Sequence, residues 1–209
     1  VKDSGKTLLE ISNQIIVYGN NYKFLNYKYD FKGRIIQKSD LYGVSTYEYN
    51  GNDTLNNEEI SNANKTINYE YDSNNNIISI DMNGKMLYYI RDIANNIIGL
   101  LDSNNQLIAS YSYDAFGNVL TKEGAYASKN PILYKGYYYE HSMELYYIES
   151  RYYDPYIRRF ISPDNIDYLE PTSFNGLNIY AYCGNDPVNY YDQSGNLFIT
   201  AAITAALAS

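Results

Sequence analysis

The chain has no tryptophan, 1 cysteine, 1 histidine and only 5 prolines in 209 residues. The lone Cys183 excludes an internal disulfide, and Cys183 with His141 cannot assemble a thiolate or imidazole metal cluster. Their bland readings are structural: Cys183 as a small buried apolar group, His141 as a loop or strand-end residue. Positive charge is also scarce. With 16 Lys and Arg against 24 Asp and Glu, the formal net charge is -8, and no basic run offers a local exception. Phosphate backbones would be repelled, so no nucleic-acid binding is expected of this piece. The apolar tail "LFITAAITAALAS" at 197–209 is shorter than the ~20 residues a bilayer span needs, so no stable membrane span is expected. Its small residues suit the first helix of a following segment. No initiator Met and no charged-then-apolar leader precede Val1, so the chain reads as part of something longer, its compartment unwritten. No cofactor and no metal are expected.

What the chain has in excess is tyrosine, 28 residues against 6 phenylalanines. Tyrosine suits pleated, half-buried surfaces, where the ring packs and the hydroxyl is expected to stay in water. An apolar content of 45% is enough for one domain-sized core, and abundant Asn, Asp, Ser and Gly argue against a helix bundle.

The tyrosines recur with a period. "YKYDFKGRII" at Tyr27, "YEYNGNDTL" at Tyr47, "YEYDSNNNII" at Tyr69, "YIRDIANNII" at Tyr89 and "YSYDAFGNVL" at Tyr111 place Asp30, Asn50, Asp72, Asp92 and Asp114 at spacings of 20, 22, 20 and 22. In Tyr-x-Tyr the two rings share one face of a strand. The following Asp or Asn can accept a backbone hydrogen bond and start a turn, which Gly33, Asn75, Asn95 or Gly117 closes in the left-handed region. An apolar strand follows, such as Ile35-Ile36 or Ile77-Ile78. Each unit is therefore a β-hairpin. Second turns lie between units at "DMNGK", with Asn83-Gly84 as a tight-hairpin signal, and at "DSNNQ" from Asp102.

The expected fold class is all-β, about ten short antiparallel strands in repeated hairpins. An ordinary β-sandwich would also favour Tyr-x-Tyr, but it does not ask for one turn at a fixed period. A long hairpin ribbon leaves edges that invite aggregation, and more of the same chain is the natural cover. The strands are thus expected to form part of a large spiralling β-shell.

From about Tyr134 the pattern changes to "YKGYYYEHSMELYYIESRYYDPYIRRF", then "SPD", "GLNIYAY", "GNDPVNY" and "DQSG". The repeats resemble YD (Rhs) repeats, and this segment resembles the Rhs repeat-associated core domain of bacterial polymorphic toxins and of the C components of insecticidal toxin complexes. The resemblance runs from Tyr27 to Gly195 and implies three parts: a YD-repeat β-shell segment at 1–125, a less regular C-terminal plug at 126–196, and an apolar tail at 197–209 that begins a further segment. It also implies a hollow shell around a C-terminal toxin, partnered by the rest of the shell and by an immunity protein, in a secreted or cell-surface bacterial protein.

In family members that process themselves, the core acts as an intramolecular aspartyl protease cutting just after D-P-x-G. By this resemblance the processing residues fall on Arg151, Asp164 and Asp192, with scission near Asn196. Two neighbouring carboxylates can share a proton, one activating water while the other protonates the departing amide, and a nearby Arg keeps one ionised. Each residue also has a bland reading: Asp192 as the start of a turn ending at Gly195, Asp164 as a loop cap, Arg151 and Arg159 as ion-pair partners of Asp154 or Glu149. Gln193 stands where the motif has Pro, Asn196 where a large apolar residue is usual, with Leu197 the nearest one, and Arg158 where Gly is usual.

Three functions follow as expectations. The first is a shell that encapsulates and delivers a C-terminal toxin in interbacterial or host-directed competition. The second is an active self-processing aspartyl protease, the only enzymatic activity expected here. The third is a cell-surface adhesion or glycan-binding module, suggested by exposed tyrosines.

Overall fold

The computed structural model describes residues 9–18, 21–40, 43–163, 178–192, 195 and 198–200. Asp164, Gln193, Asn196 and Leu197 lie outside the described residues. The chain divides into two compact units, 1–88 and 89–209.

The first unit is an antiparallel meander of β1 (Leu9–Tyr18), β2 (Asn21–Tyr29), β3 (Ile35–Asp40), β4 (Gly43–Tyr49), β5 (Leu55–Ile60), β6 (Lys65–Tyr71), β7 (Ile77–Met82) and the start of β8 (Lys85–Arg91). Each strand pairs with the next in sequence. The second unit continues with β9 (Ile97–Asp102), β10 (Leu107–Tyr113) and β11 (Val119–Glu123), the last three again paired in order. No α-helix occurs among the described residues, and none there is long and apolar enough to cross a membrane. The chain is all-β, as its periodicity predicts.

One turn recurs, and its chemistry is the same each time. Asp30 Oδ1 accepts from the backbone N–H of Lys32 and Arg34 at 2.9 and 3.0 Å. Asn50, Asp72, Asp92 and Asp114 do the same to the residues two and four further on. In each the fourth residue has positive φ: Gly33 at 82°, Asp53 at 66°, Asn75 at 62°, Asn95 at 65° and Gly117 at 90°. Asp102 builds this same turn between two repeats, with Asn105 at φ 60°. The connection at Asn83-Gly84 has φ 54° and 83°, as a two-residue hairpin whose twist matches its strands requires.

A bulge accompanies the turns. Lys28 faces Gln37 but Tyr29 faces Ile35, so Ile36 is skipped; Asn56, Ile78 and Leu120 are skipped likewise. The apolar pairs after these turns split across the two faces, as neighbours on a strand do: Ile35 and Ile77 are buried, whereas Ile78 and Leu120 are 42% and 64% exposed.

The tyrosines depart from expectation. The first of each Tyr-x-Tyr pair, Tyr27, Tyr47, Tyr69 and Tyr111, is buried. In three of these pairs the second donates its hydroxyl to a backbone carbonyl of the preceding hairpin: Tyr49 to Ile35 at 2.9 Å, Tyr71 to Leu55 at 2.8 Å and Tyr113 to Ile97 at 2.7 Å. These hydroxyls are therefore not left in water but bond main-chain carbonyls, while their rings pack.

The plug adds a four-stranded antiparallel sheet of β12 (Tyr138–Glu140), β13 (Leu145–Ile148), β14 (Arg151–Asp154) and β15 (Arg159–Phe160), and a ribbon of β16 (Tyr190–Asp192) with β17 (Phe198–Thr200). The tail therefore does not open as the expected helix. Residues 198–200, carrying an aromatic and two β-branched side chains, extend as a strand against β16. Three plug tyrosines clasp successive carbonyls of the last repeat turn: Tyr134 donates to Ala115 at 2.7 Å, Tyr153 to Phe116 at 2.8 Å and Tyr146 to Gly117 at 2.8 Å. Their rings continue through Tyr137, Phe160 and Tyr182 as one aromatic core. Cys183 is fully buried beside it, and burial pushes its thiol up to about 12. His141 follows the end of β12, with Nε2 2.7 Å from the Asn130 carbonyl.

Candidate functional site

Arg151 opens β14 directly after the tight turn from Ile148, and Asp192 closes β16. Both side chains are buried, Arg151 to 6% and Asp192 to 2% exposure. They meet at Gly195. The Gly195 N–H donates to Asp192 Oδ1 at 2.8 Å, while Arg151 Nε donates to the Gly195 carbonyl. A second guanidinium nitrogen donates to the Ile179 carbonyl at 3.1 Å, and the guanidinium lies 3.7 Å from the Phe160 ring centroid. A planar, delocalised cation is suited to this slot, since it can stack and donate in two directions at once.

Gly195 has φ +76°, and a Cβ there would meet the Ile148 carbonyl oxygen at 2.5 Å and Ser150 Oγ at 2.7 Å. The position needs glycine for both reasons.

Asp192 is fixed through its backbone as well. Its carbonyl accepts from the Tyr137 hydroxyl at 2.5 Å, and the Tyr182 hydroxyl lies 3.2 Å from that of Tyr137. Tyr137 stacks on Tyr191 with centroids 5.7 Å apart. Burial raises the pKa of the Tyr137 and Tyr182 phenols well above the ordinary value, so they act as neutral donors. The buried Lys135 ammonium donates to the carbonyls of Pro187 at 2.6 Å and Tyr190 at 2.8 Å, and desolvation lowers its pKa.

Of the three residues matched to processing, Arg151 and Asp192 are brought together around one glycine, and Asp164 is outside the described residues. The Gly195 carbonyl belongs to the peptide bond that leads into Asn196. A cation bonded to a carbonyl oxygen draws charge onto that oxygen and makes its carbon more open to attack. The turn reading of Asp192 also holds, so one carboxylate oxygen serves as turn acceptor. Lys135 and Tyr137 were missed from sequence. The available signal was a lone cation, Lys135, inside the tyrosine-rich run "LYKGYYY".

Arg158, standing where Gly is usual, has φ 62° and its guanidinium lies 4.6 Å from the Phe116 ring centroid. Asp154 accepts from the N–H groups of Tyr156 and Ile157 at 2.8 and 3.2 Å, starting its own turn.

Comparison with known proteins places this all-β chain of repeated hairpins in one family. The sequence profile described as Teneurin YD-shell matches residues 13–188. The chain belongs to the teneurin YD-shell family. It is 35% identical over 181 residues to "tRNA3(Ser)-specific nuclease WapA" of Bacillus spizizenii and to "tRNA nuclease WapA" of Bacillus subtilis, covering 85% of this chain and 8% of each relative. Teneurin-m of Drosophila melanogaster is 24% identical over 173 residues, 78% of this chain and 6% of the relative. Among solved structures, the TcdB2-TccC3 crystal structure superposes with a TM-score of 0.64 at 23% identity, over 92% of this chain and 10% of that one. The Photorhabdus luminescens Tc holotoxin pore gives 0.65 at 22%, with the same coverage. At these identities the structures share the fold of this YD-shell chain, and the chain spans under a tenth of the WapA length.

Proposed function

We propose that this YD-shell chain is the C-terminal part of a shell that encloses a C-terminal toxin and delivers it, in competition between bacteria or against a host cell. The observation that carries the reading is the clasp of the plug on the last repeat turn by Tyr134, Tyr146 and Tyr153, which suits a sheet that is being closed off. Membership of a family that includes nucleases named for tRNA supports a toxic cargo. Partners under this reading are the rest of the shell, the toxin segment and an immunity protein, and the location is secreted or at the cell surface. Electron cryomicroscopy of the full-length protein is expected to show a closed chamber with polypeptide density inside. An open sheet or an empty chamber would refute enclosure.

A second reading, self-cleavage by an aspartyl mechanism, is favoured by the convergence of Arg151 and Asp192 on Gly195. Under it Arg151 polarises the carbonyl of the bond after Gly195, and Asp192 and Asp164 divide the acid and base work. Intact-mass measurement of the full-length protein is expected to show a cut near Asn196 that Asp192→Asn abolishes. An uncut chain after long incubation at mildly acidic and neutral pH would contradict it.

A further inference from the structure

Lys135 is a charged residue placed where an apolar one would pack more cheaply. It is 4% exposed, and the rings of Tyr134 and Tyr191 lie 5.7 and 5.6 Å from its ammonium. Burying an ammonium is costly unless its donors are used. They are directed at main chain, the carbonyls of Pro187 and Tyr190. Its own backbone is pinned, with φ 51° and its N–H donating to Asn96 Oδ1 at 3.1 Å in the repeat turn that starts at Asp92. Tyr137, two residues on, holds a further carbonyl of the same segment, that of Asp192.

Carbonyls 187, 190 and 192 are thus gripped from one short stretch, and none of these bonds uses a side chain of the gripped segment. The grip ends at the residue whose carboxylate holds Gly195. We infer that Lys135 and Tyr137 are positioning residues that hold segment 187–192 by its carbonyl oxygens and so set Asp192 and Gly195 against Arg151. Its bearing on scission rests on the self-cleavage reading above; the positioning itself does not.

The test uses the full-length protein as wild type, Lys135→Met and Tyr137→Phe. Tyr137→Phe keeps the ring that stacks on Tyr191, so it decides the matter if the lysine variant fails to fold. Hydrogen exchange followed by mass spectrometry is expected to show amides 190–195 exchanging about tenfold faster in the variants, as loss of one or two hydrogen bonds implies, with β9 and β10 unchanged. If wild type cuts itself, scission per folded molecule is expected to fall in the same variants. Unchanged exchange at 190–195, or an equal rise throughout the plug, would overturn the inference. A wild type that never cuts refutes self-cleavage alone, and exchange then decides the positioning.

Discussion

Arg151 and Gly195 are joined by a hydrogen bond from the guanidinium Nε to the glycine carbonyl, between residues 44 apart in sequence. The same glycine gives its N–H to Asp192. A cation and a carboxylate thereby grip one residue from opposite ends. Only a residue without a side chain leaves room for both, because Ile148 and Ser150 close over the position where a Cβ would stand.

Gly195→Ala is accordingly expected to destabilise the protein by about 1–3 kcal/mol, from left-handed backbone strain together with overpacking against main chain. Urea denaturation monitored on the plug checks this. A cost below a few tenths of a kcal/mol would mean that the turn rearranges freely.

The clasp of the plug on the last turn is tested by Tyr134→Phe, Tyr146→Phe and Tyr153→Phe. Each removes one hydroxyl and leaves a carbonyl of Ala115, Gly117 or Phe116 without that donor. Each is expected to cost about 1 kcal/mol, and more where the carbonyl stays dry. The losses should couple when combined, since the three donors serve one turn. Double-mutant cycles in urea measure that coupling.

Alkaline pH should unfold the protein cooperatively. Burial raises the pKa of Tyr71, Tyr113 and Tyr153, and brings Tyr111 and Tyr139 up to about 12 from an ordinary 10.0. A phenol with raised pKa keeps its proton longer folded than unfolded, so its stabilising effect is whole below pH 10 and is lost as pH climbs through 12. Tyrosinate absorbance and circular dichroism are expected to change together in that window. Tyrosinate appearing well before the loss of structure would contradict the burial of these rings.

The repeat turn gives a local prediction. Asp72→Ala removes the acceptor for the N–H groups of Asn74 and Asn76 and should cost about 1–2 kcal/mol, whereas Asp72→Asn keeps an acceptor, as Asn50 does in its own turn, and should cost less. Thermal unfolding of the two variants side by side measures the difference.

Much of this was readable in the sequence, and for local reasons. An Asp or Asn with Gly, Asn or Asp three residues later carries its own turn geometry, so the hairpins follow from spacing alone. The bulges were not readable: nothing in the run Ile77-Ile78-Ser79 marks Ile78 as the residue that the ladder skips. Tyrosine misled for a related reason. Its hydroxyl can go to water or to a carbonyl, and which one depends on a partner 14 to 16 residues away. At the plug, Arg151 and Asp192 were named by resemblance, whereas Lys135 and Tyr137 act on backbone carbonyls, which leave no mark in side-chain motifs.

Limited proteolysis of the full-length native protein, followed by mass spectrometry of the toxin segment that the proposed function places inside the shell, tests enclosure most directly. With an intact shell, that segment is expected to survive protease concentrations that digest it within minutes once the shell is denatured. Digestion at the same rate in both states would contradict a shell that encloses its cargo.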